Sequence, residues 1–335
     1  MVDDTQFDVV CIGNALVDVI AHVEDDFLER EGLLRGAMTL VDAERAEYLY
    51  GRMPPALEIS GGSAGNTVAG IASLGGRAAY IGKVADDQLG AVFRHDMRAG
   101  GVAYDVPPSG SGTPTGRCLI AVTPDAQRTM STYLGAGAEL RPDDIDDALI
   151  GAAAITYLEG YLWDPPEAKQ AFLKAAKAAH ASGRRVSLTL SDSFCVDRHR
   201  AEFLDLIDGH VDVLFANEHE IMSLYETDSF DEAVERVRGR CEIAALTRSE
   251  KGSVVLTGAE TYIVAPEPGV RPVDTTGAGD LYAAGFLYGL TRGADVATCG
   301  RIASIAAAEV ISHFGARPEV SLAKLLRERG VALAG

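Results

Sequence analysis

An α/β sandwich is the architecture this sequence predicts, on three grounds: short apolar runs rich in β-branched residues, helical apolar spacing between them, and no internal repeat or low-complexity tether. Between Arg117 and Leu134 two apolar runs flank a polar turn, which reads as a hairpin and as the best candidate for a smaller second unit. The 335 residues suffice for such a plan, since single cores stop growing at about 250–300 residues.

In chain order, residues 7–13 read as a buried first strand, stopped by Gly13 and Asn14. Residues 65–74 and 86–100 carry helical spacing, with a short strand at 78–82 between them. The runs CLIAV and TMSTYL form the hairpin around a turn at 123–128. A strand at 153–158 follows, and Asp164, Pro165 and Pro166 then open an alanine-rich helix that ends by Gly183. Strands are expected at 186–190, 211–216, 243–247 and 254–256, and a helix at 277–290.

A formal net charge of −19 repels both a nucleic-acid backbone and anionic headgroups, so neither nucleic acid nor membrane is an expected partner. Any phosphate ligand of so acidic a chain needs a locally positive site made of backbone N–H groups, a few Arg or Lys and a metal. The five cysteines are scattered without a C-x-x-C pair, as expected of free thiols in a reducing cytoplasm. Acids open the chain, and Asn14 and Asp18 interrupt the first apolar stretch, so no secretory leader is expected. No apolar run approaches the roughly 18 residues of a membrane span. None of the seven histidines falls in an H-x-x-x-H or H-E-x-x-H pattern that would support a catalytic zinc.

The most informative stretch is Asp274-Thr275-Thr276-Gly277-Ala278-Gly279-Asp280. Glycines opening a helix leave its first N–H groups unpaired and make an anion site at the positive end of the dipole. On spacing alone, Asp280 fits a carboxylate that merely stabilises the helix start. A dinucleotide fingerprint fails because Tyr282 stands where G-x-G-x-x-G needs its third glycine. A P-loop fails as well: Gly82-Lys83 is followed by Val84 and has Arg77 at the first glycine position.

These residues resemble the ribokinase-like (PfkB) carbohydrate and nucleoside kinases, whose D-T-x-G-A-G-D signature is met in full by residues 274–280. The family's N-terminal glycine pair is matched by Gly61 and Gly62 within S-G-G-S-A-G-N, and its N-x-x-E motif by Asn217-Glu218-His219-Glu220. Gly13 to Asp18, residues 133–138 and Glu159-Gly160-Tyr161 resemble the adenosine kinase branch. The pattern departs at Ser304, where many adenosine kinases carry histidine, and at Ala15, where proline is common. The resemblance implies a Rossmann-like α/β/α ribokinase-type sandwich over residues 1–335, with a small β-sheet lid from insertions at roughly 14–50 and 110–136.

It further implies transfer of the γ-phosphoryl group of ATP to adenosine or a related ribonucleoside, with a free sugar such as ribose or fructose as the alternative and a non-catalytic nucleoside sensor as another. Asp280 is then the base, with N–H groups of Gly277, Ala278 and Gly279 around the migrating phosphoryl. Asn14, Asp18, Gly61, Gly62 and Asn66 take the acceptor; Arg128, Thr247, Gly252 and Thr275 take the nucleotide phosphates. Asn217 and Glu220 hold Mg²⁺ through its waters, although the same pair also reads as a helix capping box. Potassium beside the Asp274 loop is a further implication, and either a monomer or a homodimer is compatible with an exposed lid sheet. Tyr161 and Trp163 read as strand-end aromatics of the core, and Lys251 as a solvated lysine.

Overall fold

The computed structural model describes residues 5–125 and 127–331, so Ala126 of the expected turn and the first four residues lie outside the described residues. The strands are β1 Phe7–Ile12, β2 Leu16–His22, β3 Met38–Leu40, β4 Leu57–Gly61, β5 Ala78–Ile81, β6 Gly116–Val122, β7 Arg128–Tyr133, β8 Ala153–Glu159, β9 Arg185–Thr189, β10 Val213–Asn217, β11 Ile243–Thr247, β12 Ser253–Thr257 and β13 Glu260–Val264. Eight form one sheet in the order β13-β12-β11-β10-β9-β8-β1-β5, parallel from β5 through β11 and antiparallel at β12 and β13.

Both faces of this sheet are covered, as parallel strands require. Successive side chains of β1 alternate accordingly: Val9 and Cys11 join one core with Ile71, Phe286 and Ile302, while Val10 and Ile12 join the other with Phe172 and Phe203. The first core lies under the helices Ser63–Ser73, Ala278–Thr291 and Val296–Val310, the second under Pro166–Ala181 and Ser193–His210. Small residues let the first group approach closely. A Cβ on Gly285 would stand 2.7 Å from Ala303 Cα, and one on Gly70 would stand 2.6 Å from Leu281 Cδ1. Among the described residues, no helix is long and apolar enough to cross a membrane.

The other five strands form a second sheet, ordered β3-β7-β6-β2-β4. The expected hairpin is β6–β7, with Arg117 opposite Tyr133 and Val122 opposite Arg128. One strand lies outside the expected lid bounds of 14–50 and 110–136: β4, which pairs antiparallel with β2. Its mixed burial, from exposed Leu57 to buried Gly61, lacks the strict alternation by which a strand announces itself. Odd-numbered residues Val17, Val19 and Leu119 pack inward on the first core together with Leu49. Leu16, Asp18, Cys118, Ile120, Met130 and Thr132 point the other way, into a cleft.

Phe286 is fully buried and meets Phe215 edge-on with ring centroids 5.6 Å apart. Phe286→Ala is expected to destabilise the fold by roughly 3–5 kcal/mol through lost transfer energy and the cavity left behind. Urea unfolding should show a lower midpoint at an unchanged slope.

Candidate active site

Between the second sheet and the carboxyl ends of the parallel strands lies a cleft of about 600 Å³. This is where open α/β sheets place their ligands. Its floor takes Asn14 after β1, Glu159 from β8, Thr189 from β9, Asn217 from β10 and Thr247 from β11. Its wall includes Thr275, Gly277, Ala278, Gly279 and Asp280.

Gly277 precedes the helix Ala278–Thr291 with φ +79°, a conformation that glycine adopts without penalty. A Cβ there would stand 2.8 Å from that of Ala316, so the glycine also lets this loop sit down on its support. In front of Gly279 the space is open. Ala278 lines the cleft, and its N–H donates to the Thr275 carbonyl at 3.2 Å. The helix start closes one of its own donors in this tight turn.

Asp280 accepts from Ser63 Oγ at 2.6 Å and Asn66 Nδ2 at 2.9 Å. Burial raises its pKa above the usual carboxylate value, against the pull of those two bonds and of Arg317. Ser63 and Asn66 belong to the turn and helix that follow β4, and the turn fits tightly. A Cβ on Gly61 would stand 2.4 Å from the Asp18 carboxylate, and one on Gly62, where φ is +83°, would stand 2.3 Å from the Asn14 carbonyl. Asp18 is pushed up to about 6, chiefly by burial, with Arg317 and Arg128 opposing.

Glu159 is a site residue for which sequence reasoning gave no role. It is buried, and it accepts from Asn14 N at 3.2 Å, Asn14 Nδ2 at 2.9 Å and Ala64 N at 2.7 Å, which joins β1 to the glycine turn. Desolvation lifts it to about 7 despite those bonds. The available signal was an acid at the carboxyl end of a predicted parallel strand.

Asn217 and Glu220 form the complete capping box of the helix Glu218–Leu224, with Asn217 N donating to Glu220 Oε2 at 2.9 Å and Glu220 N to Asn217 Oδ1 at 2.9 Å. Both also line the cleft. Burial, then the charges of Asp192 and Asp280, raise Glu220 to about 7. Thr247 and Thr275 line the cleft, whereas Gly61, Arg128 and Gly252 do not. Gly252, at φ +80°, closes the turn before β12, where a Cβ would collide with the Val264 carbonyl; its place is in support of the loop after β11 and not on the wall. Arg128 pairs instead with Asp274. Lys251 stands 3.5 Å from Glu218, Trp163 is buried with its Nε1 on Glu202, and Tyr161 reaches the cleft.

A family model described as "pfkB family carbohydrate kinase" matches residues 6–322. The chain is similar to a structure of adenosine kinase from Sinorhizobium meliloti, with 55% identity and TM-score 0.91 over 97% of this chain and 99% of that one. It is equally similar to a probable sugar kinase protein from Rhizobium etli CFN 42, with 54% identity and TM-score 0.92 over 98% of this chain and 100% of that one. Adenosine kinase of Saccharomyces cerevisiae is 28% identical over 86% of this chain and 90% of its own length.

The buried carboxylates with raised values imply a stability that depends on pH. Asp18 near 6 and Glu159 and Glu220 near 7 favour the folded state fully only below the unfolded carboxylate range, and that contribution is lost as pH rises through the folded values. Asp8, Asp87 and Asp164 are held low and act oppositely, losing their contribution as pH falls through their folded values. The thermal unfolding midpoint is therefore expected to be highest at about pH 5 and to fall towards about pH 8. Glu220→Gln should decline less.

Proposed function

The chain belongs to the pfkB family of carbohydrate kinases, and from that premise we propose that it transfers the γ-phosphoryl group of ATP to the 5′-hydroxyl of adenosine or a related ribonucleoside. The observation that carries the acceptor class is the roof of the cleft. Leu16, Met38, Leu40, Cys118, Ile120, Met130 and Leu134 line it, with Asp18 as its carboxylate. A purine presents two apolar faces that such a surface desolvates favourably, while a free sugar needs polar partners on most sides. Asp18 then accepts from the ribose hydroxyls, beside the glycine turn where backbone lies close. The adenosine kinases among the similar proteins agree with this reading, and the probable sugar kinase names its alternative.

The geometry supports the following roles. Asp280, facing the open space before Gly279, takes the proton of the attacking hydroxyl, and Ser63 and Asn66 hold its carboxyl in place. N–H groups of Gly277 and Gly279 at the helix start meet the charge that develops on the phosphoryl group. Thr247 and Thr275 line the nucleotide side. The second sheet acts as a lid that excludes water over the acceptor.

Glu220 and Asn217 fit a magnesium ion held through water. They offer hard oxygen atoms on the cleft wall, and Glu220 sits among like charges from Asp192 and Asp280 that a cation would relieve. When bound, the ion would neutralise phosphate charge. A potassium ion beside the Asp274 loop would have to rest on backbone oxygens, because the Asp274 carboxylate is fully engaged. Oδ1 already accepts from Thr276 N and Oγ1, and Oδ2 from Gly315 N beside its Arg128 pair.

A sensor that binds without turnover has no use for a buried base beside an anion site, and Asp280 speaks against it. The test is ADP release from Mg-ATP against adenosine, other nucleosides, ribose and fructose. Adenosine-dependent turnover that drops roughly 10²–10⁴-fold in Asp280→Asn is the expected result. Turnover of sugars alone would replace the acceptor, and an undiminished Asp280→Asn would displace the base.

A further inference from the structure

One basic side chain outside all the motifs reaches the centre of this arrangement. Arg317 lies in the segment that follows the helix Val296–Val310, and its guanidinium is spent on the glycine turn. Nε and Nη2 donate to the Ser60 carbonyl at 3.1 and 2.8 Å, Nη2 also reaches Ser60 Oγ at 3.1 Å, and Nη1 donates to the Gly65 carbonyl at 2.6 Å. The planar fork thereby bridges the two ends of the turn that carries Gly61, Gly62 and Ser63. Ser60 is held from its other side as well, its N–H donating to Asp96 Oδ2 at 2.8 Å.

The same short segment supports the phosphoryl side. Gly315 N donates to Asp274 Oδ2 at 3.0 Å, and Ala316 lies directly beneath Gly277. Residues 315–317 thus touch the anion loop and the acceptor turn within three positions. These are the two parts whose relative placement fixes an in-line attack, for which small displacements cost large factors in rate.

We infer that Arg317 is a positioning residue of the reaction: it keeps the acceptor turn, with Ser63 and Asn66, in register with Asp280 and supplies a countercharge to the carboxylates there. The groups that face Asp280 are otherwise acidic or neutral. Its charge is felt by Asp18, Glu159, Glu220, Tyr157 and Tyr161, and Arg317 opposes the rise that burial imposes on both Asp18 and Asp280. An apolar side chain at 317 would leave the Ser60 and Gly65 carbonyls to the helix and strand alone and would remove the opposing charge. Asp280 would then hold its proton to higher pH.

The inference rests on the kinase reading but not on the choice of acceptor. Arg317→Met and Arg317→Lys are compared with wild type, using whichever acceptor the wild type turns over; a sugar in that place would overturn the acceptor assigned above and leave this comparison intact. Arg317→Met is expected to lose roughly 10²-fold in kcat/KM, to shift the acidic limb of its pH profile upward, and to exchange the amides of residues 60–67 faster. Arg317→Lys keeps the charge but lacks the fork, so it should restore the acidic limb while kcat/KM recovers in part. Wild-type kcat/KM in Arg317→Met would overturn the proposal, as would a loss that follows the folded fraction with limb and exchange unmoved. Should Arg317→Met fail to fold, Arg317→Lys decides alone: wild-type kcat/KM and exchange refute the fork, and partial activity with a wild-type acidic limb supports it.

Discussion

Desolvated negative charge is the constraint around which the cleft is built. Asp18, Glu159, Glu220 and Asp280 all have raised pKa values with burial as the leading cause. An unpaired buried charge is strongly unfavourable, so each must be given donors or neutralised. The donors come mostly from backbone and amide groups held by the fold. Glu159 takes the N–H groups of Asn14 and Ala64, Glu220 those of Asn217, and Asp280 the side chains of Ser63 and Asn66. Those donors lie on three segments: Glu159 and Asp280 tie β1, the glycine turn, β8 and the helix Ala278–Thr291 into one unit, while Glu220 ties the end of β10 to the helix that follows it.

Close backbone approach is the second condition, and it follows from the first. Asp18 can lie against the turn because Gly61 has no Cβ to meet its carboxylate, and Gly62 can follow because its φ of +83° aims the turn at Asn14. At the start of the helix Ala278–Thr291, Gly277 repeats the device against Ala316. Substitution at any of these positions would meet backbone or carboxylate atoms that cannot move without releasing a neighbouring donor.

Much of this was legible in the sequence, and unevenly so. The parallel strands at 153–158, 186–190 and 243–247 read clearly because both faces of such strands are buried and their apolar runs are continuous. The hairpin announced itself through its polar turn. Three-residue β3 has exposed side chains throughout, and β4 is half-buried, so neither carries a period long enough to read. At the site, the ordered motifs exposed Asp280, Asn217 and the glycine pair. Arg128 read as a turn residue and proves to be a strand residue buried against Asp274, because pairing across the cleft leaves no mark on local spacing. Glu159 and Arg317 were hidden for the same reason: their partners are 145 and 257 positions away, respectively.

How a chain of net charge −19 handles a polyanion is answered by where its positive charge is not used. Most arginines and lysines neutralise acids at the surface in pairs such as Arg236–Glu232 and Arg200–Asp197, which contribute little to stability and nothing to the cleft. Arg128 and Arg317 depart from that pattern and bear on Asp18 from opposite sides, one from the second sheet and one from beneath the glycine turn. Their guanidinium groups are already committed to Asp274 and to backbone carbonyls, so they balance the carboxylates more than they attract phosphate. On the kinase reading, attraction falls to Arg198, which lines the cleft in its pair with Asp164, and to the helix start at Gly277 and Gly279, whose partial charge is fixed by the backbone. Backbone N–H groups do not titrate, so an acidic chain can carry such a site without adding arginines or lysines.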